Sequence, residues 1–234
     1  MAPVAGKFYA AANQTGPTAI VADTGGTTYD VSLVRSGDVP FTREMWIGEP
    51  FRGHMTGFPS VDVRSIGAGG GSIAWLDEAG GLRVGPQSAG ADPGPACYGR
   101  GGQLATVTDA SIVLGVLNPD YFAGGSVSLD RQLAEQAIRD TIAVPLSMSV
   151  EQAALGIHRV VNAQMAEGMR QVSIRQGHDP RDFALVPLGG AGPVHGIPLA
   201  EELSIDTVIV PRHPGVLSAE GLLVAPIEHE VSVG

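Results

Sequence analysis

Asp23-Thr24-Gly25-Gly26-Thr27-Thr28-Tyr29-Asp30 is the stretch whose residue types and spacing best suit chemistry. Adjacent glycines let backbone N–H groups turn towards one anion, and the threonine hydroxyls beyond them add donors for phosphate oxygens. Asp23 stands at the mouth of the turn. A carboxylate there suits hydrated Mg²⁺, which takes one or two carboxylates together with phosphates and water. The plainer reading is a tight hairpin that uses glycine for its positive φ. A hairpin alone leaves the paired threonines and the carboxylates at both ends without a role. The stretch lacks the Gly-Lys-Ser/Thr of a P-loop, and a strand pattern rather than a helix follows it.

A second glycine turn, Gly189-Gly190-Ala191-Gly192, lies between an apolar run and a helical one. Such a turn lets a nucleoside lie against backbone, and the following helix N-terminus favours anions. Close strand–helix packing explains the same residues. Gly67–Ser72 is either an anion-binding nest or a glycine-rich bend at a contact; Ser72 stands where a dinucleotide fingerprint needs glycine. Asp62 just before it is placed to orient this loop. His54, His178, His195 and His213 show no metal-ligand spacing. His195 opens the helix after the second turn, within reach of a nucleotide or substrate. Asp109 reads first as a helix cap and second as a further Mg²⁺ or water-orienting carboxylate. Cys97 has no charged neighbour in sequence and reads as a buried thiol, not a nucleophile.

These residues need positioning. Thr18–Ala22 is a short apolar run and Tyr29–Arg35 alternates, with Tyr29, Val31 and Leu33 on one face, so 18–35 is expected to be a β-hairpin bent at Gly25-Gly26. Val39–Trp46 suggests a third strand. Residues 48–104 form a long Gly/Pro-rich insertion, with a hairpin around 78–81. Its 85–102 portion is long enough to suggest an interface with another chain or domain. Helices are expected from Thr108 to Leu117, over Asp130–Ile142, and over 150–176. The last has Ser149 and Gln152 as a capping box and a stripe of Ala154, Ile157, Val161, Met165, Met169 and Val172; Met165 and Met169 read as core. Strands are expected at 183–188 and 205–210, and helices at 193–203 and 217–224. Residues 1–17 read as a lead-in or a cut end, leaving 18–234 as one domain.

Composition narrows the class. The 234 residues carry a net charge of −10, which argues against nucleic acid because phosphate binding needs a basic face. Hydrophobic residues make up 44% and charged residues 16%, enough for a sizeable core. No apolar run reaches the ~18 residues of a membrane span, and the N-terminus shows no signal-peptide pattern. A single cysteine fits a reducing cytosol.

The whole of 18–234 resembles the hydantoinase A / 5-oxoprolinase family, whose relatives include the acetone and acetophenone carboxylases. The resemblance rests on Val21–Leu33, Ile66–Ala74, Val84–Gly99, Thr106–Ala110, Gly177–Leu185, Gly189–His195 and Val208–Leu223. The first stretch looks like the second phosphate loop of actin, sugar-kinase and chaperone ATPases, and Gly189–Gly192 looks like their adenosine loop. The resemblance implies an α/β fold: the ribonuclease-H-like half of an actin-like ATPase, beginning with an antiparallel hairpin. It implies ATP and Mg²⁺ as cofactors. Asp23 would hold Mg²⁺ through water, Thr27 and Thr28 would bind the γ-phosphate, Gly25, Gly26 and Asp30 would complete that loop, and Gly189, Gly190, Ala191 and Gly192 would seat adenosine. The implied reaction phosphorylates a carbonyl or enolate oxygen of a cyclic amide or ketone for hydrolysis or carboxylation. The implied partners are a hydantoinase B-type subunit and an N-terminal half carrying the first phosphate loop. The alternative is a non-catalytic interaction subunit of such a complex.

Overall fold

The computed structural model describes residues 1–13, 16, 18–48 and 51–227. Strand β1 (Ala19–Thr24) pairs antiparallel with β2 (Tyr29–Val34), and Asp23 stands opposite Asp30. This is the expected hairpin. Strand β3 (Arg64–Ile66) adds antiparallel to β2, and β4 (Ser72–Leu76) and β5 (Leu82–Ser88) form a separate hairpin. Strand β6 (Ala184–Leu188) lies parallel to β1, giving the order β6-β1-β2-β3. The expected strand at 205–210 is reduced to a parallel bridge between Val208 and Leu185 on the outer side of β6. There the Leu185 amide donates to Thr207 O at 2.9 Å, and the Ile209 amide donates to Leu185 O at 2.8 Å.

Both faces of the sheet are buried. Ile20, Ala22, Tyr29, Val31, Leu33 and Leu185 point to the larger core; Ala19, Val21, Val34, Val186 and Leu188 point to the smaller one. This strict alternation follows from the two-residue side-chain period of a strand. Helix α1 (Ala2–Ala12) covers the smaller face together with α6 (Leu217–Val224). The lead-in reading of 1–17 is therefore corrected for residues 2–12: they are a packed helix. Its inner face is Ala5, Gly6 and Ala10, and a Cβ on Gly6 would lie only 2.2 Å from Val21 Cγ2. Residues this small carry a weak periodic signal.

The larger face is covered by α4 (Val150–Val172), whose Ser149–Gln152 capping box is present. Ile157, Val161, Met165 and Met169 are all 0% exposed. Gly168 brings the helix onto the sheet, since a Cβ there would lie 2.1 Å from Ile66 Cδ1. The helix does not run on to 176. Ser173 leaves helical geometry at φ −112°, ψ −84°, and a short 3-10 turn ending at Gly177 follows. Helix α5 (Gly192–Leu203) connects β6 to the outer bridge. Between β5 and α4 lie α2 (Val107–Val113) and α3 (Arg131–Ile138). The helix expected over 130–142 changes to π geometry at Arg139.

The strand expected at Val39–Trp46 is absent. Phe41–Thr42 and Trp46–Ile47 pair instead with Ser60–Val61 and His54–Met55, in a small arm beside the sheet. Its Phe41, Ile47 and Met55 stay exposed, so the apolar pattern there does not report a core strand. The third sheet strand, β3, comes from the insertion.

Candidate functional site

The β1–β2 turn is built against a second glycine loop. The amides of Gly70 and Gly71 donate to Gly25 O and Gly26 O at 3.0 and 2.6 Å. A Cβ on Gly69 would meet Gly25 O at 2.8 Å and Gly26 C at 2.9 Å, and one on Gly71 would meet Gly26 O at 2.9 Å. Gly67–Ser72 is thus a close-approach bend that holds the hairpin tip by its carbonyls. Helix α2 fixes the bend from behind: the Thr108 amide and hydroxyl both donate to Gly70 O at 2.8 Å.

With its carbonyls engaged, the hairpin tip leaves other groups to solvent. Gly26, Thr27 and Thr28 are exposed. The Gly25 amide donates to Thr28 O at 2.9 Å, and the Thr27 and Ser88 hydroxyls lie 3.1 Å apart. Asp23 is partly buried at the strand end, where Ser218 Oγ donates to its Oδ2 at 3.2 Å. Burial holds its carboxyl above the usual carboxylate range; the Ser218 hydrogen bond opposes this and the facing Asp30 charge adds to it. Two carboxylates facing each other across a hairpin are a donor set that fits a divalent cation.

The 189–192 turn approaches this point from β6. Gly189 has φ +86°, and a Cβ on it would lie 2.4 Å from Thr24 O and 2.5 Å from Asp23 Oδ1. The Ala191 amide donates to Thr24 O at 3.1 Å. Both turns therefore end on one cleft of about 460 Å³, lined by Gly25, Gly26 and Gly70 on one side and Gly190, Ala191, Val194 and His195 on the other. Tyr98, Val107, Thr108, Ser111, Leu117, Tyr121, Phe122 and Ala123 close it. Asp23, Thr27, Thr28, Asp30, Gly189 and Gly192 lie outside that lining.

Asp109 is a structural carboxylate. It sits at the third position of α2 in a capping box with Thr106. It accepts from Thr106 N and Oγ1 at 2.9 and 2.7 Å, from Cys97 N at 2.8 Å and from Ala96 N at 3.3 Å. Those bonds also order part of 85–102 within the domain. Cys97 is fully buried; burial and the nearby Asp109 push its thiol up. His54 is exposed on the arm, and His178 contacts Arg35 Nη1 at 3.0 Å. Among the described residues no cluster of three or more His, Cys, Asp or Glu could hold a metal ion, and no helix is long and apolar enough to cross a membrane.

His195 belongs to a buried group that the sequence does not announce. Its ring stacks on His158 at 5.4 Å and 23°. His195 Nδ1 lies 2.7 Å from Asn162 Oδ1, and His158 Nε2 lies 2.9 Å from Ser111 Oγ. Burial depresses His158 to about 4; burial and then the His158 charge depress His195 to about 3. The only sequence sign was the position of His195 after the glycine turn.

Three antiparallel strands, a helix, a parallel strand, a second helix and an outermost parallel bridge are the ribonuclease-H-like half of an actin-like ATPase fold, with the glycine turns after β1, β3 and β6 at one end of the strands. A match to the hydantoinase/oxoprolinase family spans residues 2–231, and the chain belongs to that family. It is 47% identical to caprolactamase subunit alpha of Pseudomonas jessenii over 90% of this chain and 30% of that one. It is 37% identical to the acetone carboxylase beta subunit of Xanthobacter autotrophicus over 88% and 28%. The crystal structure of ATP-dependent caprolactamase from Pseudomonas jessenii superposes with a TM-score of 0.85 at 47% identity, covering 94% of this chain and 31% of that one. The chain thus spans under a third of the length of these relatives.

Proposed function

We propose that this chain supplies one wall of an ATP site in an enzyme that phosphorylates a carbonyl or enolate oxygen of a cyclic amide or ketone, for hydrolysis or carboxylation. The observation that carries this reading is the shared cleft: Gly25-Gly26 and Gly190-Ala191, far apart in sequence, line the same 460 Å³ space. Relatives described as ATP-dependent caprolactamase and as acetone carboxylase support the reaction class.

Each residue has a definite task in this reading. The Gly26 amide and the hydroxyls of Thr27 and Thr28 donate to phosphate oxygens at the exposed hairpin tip, and Gly25, its amide held by Thr28 O, shapes the turn. Asp23, with Asp30 opposite, holds the hydrated Mg²⁺, which supplies charge neutralisation for phosphoryl transfer. Gly189 lets Asp23 sit beside the adenosine turn, and Gly190 and Ala191 present backbone to the nucleoside, while Gly192, buried outside the cleft lining, starts α5 behind them. The open side of the tip is closed by an N-terminal half carrying the first phosphate loop, in the same or a separate chain. A hydantoinase B-type subunit completes the reaction in the cytoplasm.

Equilibrium dialysis of the full-length protein against ATP, with and without Mg²⁺, tests the reading. Saturable binding strengthened by Mg²⁺ is expected. Absence of ATP binding with Mg²⁺ present would leave the glycine loops as subunit contacts only.

A further inference from the structure

His195 is 1% exposed and forms part of the cleft wall. Its Nδ1 faces the amide oxygen of Asn162 at 2.7 Å. A carbonyl oxygen only accepts, so Nδ1 carries the proton and donates. The ring is uncharged at neutral pH, because burial opposes a second proton. Nε2 is therefore a bare lone pair, and it is buried with no hydrogen-bond partner.

His158 does not satisfy it. The two rings meet face to face, and His158 is committed elsewhere. Ser111 Oγ donates to Val107 O at 2.8 Å, so it accepts from His158 Nε2 at 2.9 Å. The stack and the Asn162 bond fix the orientation of His195. A fixed, buried acceptor without a donor is rare in folded proteins, and one on a residue of a cleft wall calls for a partner. His195 shares the wall of its cleft with Tyr98, Tyr121 and Phe122, whose rings suit a flat, largely apolar ring.

We propose that His195 Nε2 accepts a hydrogen bond from an N–H of a flat, uncharged heterocycle bound in this cleft, an assignment that rests on the ATP-dependent site proposed above. Two ligands of that site carry such a donor: a cyclic amide, through its ring N–H, and adenine, through its 6-amino group. A simple ketone carries none and would leave Nε2 unpaired. His195 then acts as a specificity-determining residue, because a site built to pair a donor rejects the analogue that lacks it.

Calorimetry on the full-length protein distinguishes the sources. One probe pair is ATP and purine riboside triphosphate, which lacks the 6-amino group. The other is 2-piperidone and its N-methyl derivative, which lacks the N–H. The wild type is expected to separate at least one pair by about fivefold or more in Kd, roughly the loss of one hydrogen bond. In His195→Phe, which keeps a stacking ring and removes the acceptor, that separation should vanish. Separation of the ATP pair places adenine at His195, and separation of the lactam pair places the substrate there. Less than fivefold for both pairs overturns the proposal, with no measurable binding counted as no separation. So does a separation that persists in folded His195→Phe. The wild-type comparison decides even if the variant does not fold. Equal, tight binding of ATP and its analogue would leave the nucleotide reading intact. No ATP binding beside a separated lactam pair would end the nucleotide reading and keep a donor-bearing ligand at His195.

Discussion

Asp109 gathers hydrogen bonds from Thr106, Cys97 and Ala96 on one fully buried carboxylate. Its capping role is legible from Thr106-Val107-Thr108-Asp109. Its hold on Cys97 and Ala96 is not, because sequence spacing carries no sign of which distant amides a carboxylate will meet. Asp109→Ala should lower unfolding free energy by about 3 kcal/mol or more in denaturant titration, since it strands buried donors. The two stacked histidines make a different prediction. The unfolded chain takes up protons near 6.5, whereas folded His158 and His195 resist until about 4 and about 3. Between those values the unfolded state binds more protons, so stability falls as pH drops. Each pKa unit corresponds to about 1.4 kcal/mol. The urea midpoint should therefore fall between pH 6.5 and 4, and His158→Gln should flatten that fall. Parallel curves for wild type and variant would show that His158 does not contribute.

At the scale of elements, the turns hold the site and the glycines divide by task. Gly69 faces only backbone, Gly25 O and Gly26 C. No side chain there can move aside, so Gly69→Ala should destabilise by about 1–3 kcal/mol. An added Cβ on Gly190 meets nothing within 4 Å. Gly190→Ala should leave the denaturation midpoint nearly unchanged while weakening ATP binding, read by dialysis beside the melt. Unchanged affinity would remove Gly190 from the nucleotide contact. The hairpin, the long helix with its capping box and the β6–α5 turn were legible because alternation, helical spacing and capping chemistry are local signals. Three features were not. Helix α1 buries Ala5, Gly6 and Ala10, whose small side chains give little periodic contrast. β3 is three residues long inside a Gly/Pro-rich stretch, and only its pairing with β2 defines it. The His158–His195 stack joins helices α4 and α5, which only the tertiary fold brings together.

For the molecule as a whole, the glycine turns gather at one end of the sheet's strands, with the hairpin tip exposed and the chain spanning under a third of its relatives' length. The proposed nucleotide site needs a second wall beyond this one, so it is tested in the full-length assembled protein. The central claim is that the β1–β2 hairpin is a phosphate and Mg²⁺ cradle, and Asp23 is its sharpest point. Asp23→Asn keeps the side-chain size and an oxygen for the Ser218 hydroxyl, and it removes the charge that would orient the metal. ATP-dependent turnover of Asp23→Asn should be measured at saturating ATP and Mg²⁺, beside its melting temperature. The expected result is a loss of about a hundredfold or more, roughly 2.7 kcal/mol of barrier, with the melting temperature essentially unchanged. Wild-type turnover with asparagine at position 23 would contradict the account and reduce the loop to a hairpin.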